Sequence, residues 1–211
     1  MIDTVSLTVV LATFRSKAAQ ADSLVSNSHQ TDTRGIPFFS VNDRHQITVA
    51  AFLNLFIGWE EFLEAALSNF MSGASTLSGT LPTKYATPST LQNAQAMVMG
   101  INRYFDYANH EYVRKMVSLY FQDGHPFEPH LSAIASDLAD IRTMRNASAH
   151  LSSTTQAALE ALAQRIFSIP KPGIDLYTIL TAVDPRSTAK NTVLANSRDK
   201  LLTAAELIAN G

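Results

Sequence analysis

Cysteine is absent from the 211 residues. That excludes a disulfide scaffold, a thiol nucleophile, a zinc site built on thiolates and an iron–sulfur cluster. Charge is scarce too. Asp, Glu, Lys and Arg make up 16% of the chain, against 46% hydrophobic residues. A disordered chain needs the opposite balance. Eight Gly and eight Pro exclude collagen and a Pro-rich linker. No run reaches the ~18 consecutive apolar residues of a membrane span. An excess of positive charge is also missing: 16 basic and 18 acidic residues leave a net charge of −2, with a pI of about 6.3. That leans away from a nucleic-acid coating protein, whose domain is strongly basic. No GxGxxG, Walker A or GxSxG motif occurs.

The length suits one domain with an appended subdomain. At the N-terminus Val5–Ala12 is apolar, and Ala18, Ala19 and Ala21 mimic a cleavage site. A signal peptide needs Lys or Arg ahead of its apolar stretch, and this chain has Asp3 there. The segment therefore reads as a helix, and the protein as cytoplasmic with no membrane partner.

The dominant period is helical. The pattern predicts a first helix over about 3–28 and a loop from Thr31 to Pro37. A second helix follows over about 42–71, with Val49, Phe52, Leu53, Phe56, Trp59, Leu63, Ala66, Leu67 and Phe70 on one broad face. Residues 72–89, rich in Ser, Thr, Gly and Pro, form a long irregular connection. Helical pattern returns over 90–121, in two pieces broken near 106–110. A loop carries Pro126 and Pro129, helices follow over 130–150 and 154–169, and Pro170–Gly173 is a breaker. A short element at 174–183 and a last helix over about 197–209 close the chain. The fold class is all-α: a helical bundle over 1–170 with a small helical extension over 171–211.

Two charges stand in unexpected places. The apolar stripe Leu131, Ile134, Leu138 and Ile141 continues, by the i+3/i+4 rule, onto Arg145. Arg142, Arg145, Asn146 and His150 share an arc of about 140° if that helix is continuous. On the second helix, Glu60 projects between Leu53, Phe56, Leu63 and Leu67. A buried charge costs several kcal/mol unless paired, so Glu60 is expected to orient an arginine of the later helix.

Arg145-Asn146-Ala147-Ser148-Ala149-His150 resembles the Arg-x4–6-His motif of the HEPN superfamily, with a polar residue directly after the Arg. The helical setting, the late position of the motif and the earlier Trp59-Glu60-Glu61-Phe62 resemble it too, over about residues 1–170. The resemblance is to single-domain bacterial HEPN-like nucleases of defence and toxin loci. It implies a bundle of four to five main helices that dimerises so that two motifs meet. It also implies a metal-independent endoribonuclease, with no cofactor and no metal. His150 is then the acid/base, Arg145 holds the scissile phosphate, Asn146 supports one of them, and Glu60 and Arg142 are supporting residues. RNA supplies its own 2′-OH as nucleophile, so the protein needs only proton transfer near neutral pH and a fixed cationic fork. The implied partners are RNA, a second copy of the chain and an antitoxin or regulatory subunit. In one group of HEPN toxins a Tyr two residues after the His is adenylylated by its antitoxin. Here Ser152 stands there, so a nucleotidyltransferase partner does not follow.

Other residues admit two readings. Arg103, Arg114, Lys115 and Arg165 are candidates to line an RNA groove, or are solvated helix faces. Tyr104, Phe105, Tyr107 and Tyr112 are candidates to stack on bases, or belong to the core. His125, Glu128 and His130 have a metal-like spacing, though two prolines among them favour a plain loop. The competing function is a non-catalytic HEPN module that binds RNA, a nucleotide or another subunit. A third is a helical interaction protein that carries the motif by coincidence.

Overall fold

The computed structural model describes residues 6–149 and 152–211. Among these there are nine α-helices and no strand: α1 (Leu7–Ser28), α2 (Val41–Met71), α3 (Leu91–Met99), α4 (His110–Tyr120), α5 (Glu128–Ala133), α6 (Ala135–Ala149), α7 (Ser153–Phe167), α8 (Leu176–Thr181) and α9 (Val193–Asn210). The all-helical class agrees with the sequence pattern. The first three residues of the expected first helix lie outside the described residues.

Local chemistry sets most helix starts. Ser40 precedes α2, and its hydroxyl accepts from the Asp43 N–H at 3.1 Å, while the Asp43 carboxylate accepts from the Ser40 N–H at 3.1 Å. This reciprocal arrangement satisfies two donors that a helix start leaves open. Thr90 caps α3, Asn109 caps α4 and Asp175 caps α8 through side-chain oxygens. Ser152 and Thr155 form a second capping box at α7. The last helix begins four residues earlier than its apolar pattern predicts, because the Thr192 hydroxyl accepts from the Ala195 N–H at 3.2 Å.

The long helix expected over 130–150 is corrected to two. Ile134, at φ −115° and ψ 20°, parts α5 from α6. Neither Pro nor Gly stands at the break, so composition gives no sign of it. The connection over 72–89 is tied down along its length. The Leu77 N–H donates to the Ala209 carbonyl at 2.8 Å, the Ser78 hydroxyl to the Asn210 carbonyl at 2.7 Å, and Lys84 Nζ to the Met71 carbonyl at 2.5 Å.

The chain divides into two compact units. The first holds the residues up to Arg15, Gly58–Ala139 and Leu201–Gly211; the second holds Ser16–Ile57 and Asp140–Lys200. Residues 171–200 thus belong to the second and 201–211 to the first. Aromatic rings dominate the first unit's interior. Phe14, Trp59 and Phe62 lie 5.7–6.0 Å apart by ring centroids, and Phe127 meets Phe70 edge-on at 5.7 Å. Aliphatic side chains fill most of the second unit, among them Ile141, Met144, Leu162, Ile179 and Leu180, with Phe52 and Phe56 from α2. None of the helices is long and apolar enough to cross a membrane, among the described residues.

Candidate functional site

The buried stripe of α6 runs Leu138, Ile141, Met144, Ala147. The expectation that it passes from Ile141 to Arg145 is therefore corrected. The stripe takes steps of three, and Met144 occupies the inward place. A thioether is buried without penalty there, whereas a guanidinium costs several kcal/mol. Arg145 sits on the flank, half-buried, with Arg142 half-buried and Asn146 exposed beside it. The Ser148 hydroxyl is turned back onto the Arg145 carbonyl at 2.6 Å. His150 lies outside the described residues.

Arg145 differs from most arginines of the chain. Arg15 pairs with Glu206, Arg34 with Asp32, Arg114 with Glu128, Arg165 with Asp140, Arg186 with Asp140 and Asp184, and Arg198 with Asp22 and Asp199. Arg145 makes no ion pair among the described residues.

Glu60 is half-buried rather than central to an apolar face. Leu53, counted as inward, is itself only half-buried, while Ala51, Leu55 and Phe62 are buried. The centre of the buried arc therefore moves to Phe52, Trp59, Leu63 and Phe70, and Glu60 falls at its margin. Glu60 belongs to the first unit, Arg145 and Arg142 to the second.

The remaining candidates separate. Arg103 is exposed in the irregular stretch between α3 and α4. Arg114 is committed to Glu128: its Nε lies 3.0 Å from both carboxylate oxygens, and its Nη2 2.5 Å from one. That bond holds the guanidinium above its ordinary pKa. Lys115 is exposed, its Nζ 5.9 Å from the Tyr112 ring centroid. Arg165 donates to Asp140 at 2.6 Å. Tyr104 and Tyr112 are exposed, so neither is a core residue. Phe105 and Tyr107 are half-buried and meet edge-on. Burial, reinforced by the charge of Glu64, pushes the Tyr107 phenol far up.

The His125–His130 segment does not gather a ligand set. Glu128 is held by Arg114, and His130 is pushed down by burial and by His125. No group of three or more His, Asp or Glu able to hold a metal occurs among the described residues.

No family model, no curated protein and no solved structure matches the chain.

Two polar constellations of the second unit escape a sequence reading. The first centres on Asp140, nearly buried, which accepts from Arg165 at 2.6 Å and from Arg186 Nη1 at 2.9 Å. Arg186 also grips Asp184, 1% exposed, through Nε at 3.0 Å and its backbone N–H at 2.9 Å, and Asn196 adds a bond at 2.8 Å. Burial raises the Asp184 carboxyl, but the bonds from Arg186 and Asn196 outweigh it and hold it below its ordinary value. Asp184-Pro185-Arg186 is a legible turn signal, since an Asp side chain caps the N–H two residues on. Its partners 12 and 46 residues away are not legible. The second constellation joins His29, His45 and Tyr177. Tyr177 Oη lies 3.5 Å from His29 Nε2, and the His45 ring lies flat on Tyr177, centroids 3.6 Å apart and planes at 20°. Nothing in the spacing of these residues announces it.

Proposed function

We propose that the chain is a metal-independent endoribonuclease of HEPN type, active as a homodimer in a bacterial defence or toxin context. The observation that carries this reading is Arg145: a half-buried guanidinium with no ion pair among the described residues, in a chain where six other arginines hold carboxylates. A cation in that position suits an external oxyanion. The neighbouring residues fit. Asn146 and Ala149 are exposed and Ser148 is half-buried, and these small side chains leave room for close approach of a second chain or a phosphodiester.

In this mechanism the 2′-OH of RNA attacks the adjacent phosphorus. His150 moves the proton, and Arg145 stabilises the charge that grows on the phosphorane oxygens. The 5′-oxygen leaves, giving a 2′,3′-cyclic phosphate and a 5′-OH. A two-fold axis near the motif supplies two His and two Arg to one cleft, and concentrates positive charge despite the net −2.

Purified protein incubated with total RNA in EDTA tests this. Wild type cuts RNA, and His150→Ala and Arg145→Ala each lower the rate at least 100-fold. Equal cutting by wild type and both variants means a contaminating nuclease and removes the assignment.

A second reading, a non-catalytic HEPN module that binds another subunit, has its own support. Ile36, Phe38 and Phe39 on the connection before α2, and Val41 at its first residue, are all exposed, and clustered exposed apolar residues mark contact surfaces. An inactive wild type that co-purifies with a partner through these residues selects it.

A further inference from the structure

We propose that His29 and His45, aligned by Tyr177, form a second proton-transfer site that opens 2′,3′-cyclic phosphodiesters. The hydrogen bonds settle the state of His29. Its Nδ1 lies 2.9 Å from the Val25 carbonyl and 3.0 Å from the Ser28 hydroxyl, whose own hydrogen goes to that carbonyl at 2.7 Å; with both neighbours accepting, Nδ1 carries the hydrogen. In the neutral ring Nε2 therefore holds a lone pair, the arrangement a general base needs. Its neighbour, Tyr177 Oη, stands at 3.5 Å, beyond a firm hydrogen bond, and so leaves that lone pair open to a water or hydroxyl.

His45 supplies the second imidazole. It stacks on Tyr177 at 3.6 Å, so one phenol touches both rings. Three separate helical segments meet here: the end of α1, the start of α2 and the first turn of α8, the last fixed by its Asp175 cap. His29 is exposed and His45 and Tyr177 are half-buried, so the group is open to solvent. Arg44 precedes His45. It is half-buried, its Nε finds no partner, and it makes no ion pair among the described residues. An anionic substrate supplies the counter-charge that no carboxylate among the described residues gives it.

Arg44, next to His45 in the chain and without an ion pair among the described residues, favours an anionic phosphodiester over a neutral ester. His29 Nε2 takes a proton from water as the water oxygen bonds to phosphorus. The bond from phosphorus to the 2′-oxygen breaks, and protonated His45 gives its proton to that oxygen. The products are a 3′-phosphate monoester and a free 2′-OH, and nothing is oxidised or reduced. Bulk water then returns the two imidazoles to their starting states. Tyr177 is a positioning residue, since it acts through the two rings.

The choice of substrate rests on the ribonuclease reading, whose product carries this cyclic phosphate, but the test does not need RNA. The full chain is incubated with 2′,3′-cyclic AMP and product is followed by phosphorus NMR. Conversion is expected, reduced at least 100-fold in His29→Gln and in His45→Phe, which keeps the stack without the proton. Tyr177→Ala, which removes the ring under His45, lowers kcat about tenfold at unchanged KM, and Arg44→Gln raises KM at least tenfold. Thermal melts matching wild type confirm that each variant folds. No conversion by wild type, or conversion kept in both histidine variants, overturns the proposal. The EDTA-resistant cutting of RNA is measured separately and fails or stands by itself.

Discussion

Asp184 shows how a single carboxylate can hold a region together. It is 1% exposed and takes bonds from Arg186 and Asn196. Replacing it by Asn removes one partner of a buried pair and is expected to destabilise the protein by about 3 kcal/mol, read as a drop in urea midpoint. Its folded pKa lies below the ordinary 3.8. The folded state thus binds fewer protons than the unfolded one around that pH, and acid favours unfolding. The contribution is complete above the ordinary value and fades as pH falls towards the lowered one. Stability measured from pH 5 to pH 2 should fall less steeply in Asp184→Asn than in wild type. An unchanged acid limb would show that other carboxylates govern it.

The helices themselves were largely legible. The α2 pattern gave its limits within a residue, because a 31-residue amphipathic helix carries many turns of signal. The break at Ile134 was not, since it depends on packing rather than on Pro or Gly. The inward place of Arg145 fails for a different reason: Ile141 and Arg145 both lie within α6, and the buried stripe steps three residues from Ile141 to Met144 rather than four. Arg142 and Asn146 remained on one face because they lie within α6. The polar groups that assemble from distant segments, such as Asp140 with Arg186, were illegible for the opposite reason: no local period links them. Just ahead of α5, Gly124 has φ +67°, and a Cβ there would come within 2.7 Å of the Glu128 Cβ. Gly124→Ala should therefore cost about 2 kcal/mol or more and loosen the Arg114–Glu128 pair. A thermal melt within 1 °C of wild type would contradict this.

For the whole molecule, the mean charge is a poor guide to what it binds. Many of its arginines are neutralised in place, so the net −2 is compatible with a few unpaired cations such as Arg145 and Arg44. If two Arg145 helices meet, the protein sediments as a dimer, and Arg145→Glu should lower both dimer content and RNA cutting. A monomer with full activity would leave the composite site without support. The Arg145→Glu dimer effect is separable from folding by circular dichroism.

The connection over 72–89 has the composition of a protease-sensitive linker, yet its anchors change its fate. Lys84 is the one tryptic site within it, and the ammonium that trypsin must grasp is bonded to the Met71 carbonyl. Burial also lowers the pKa of that ammonium. Cleavage requires an extended, released backbone, and Lys84 and Tyr85 are held beside Phe121 and Tyr120. Arg103, exposed between α3 and α4, has no such restraint on its side chain among the described residues. Brief trypsin treatment should therefore nick the native chain after Arg103 well before Lys84, and the fragments seen by mass spectrometry would divide it near its middle rather than at its most Ser- and Thr-rich stretch.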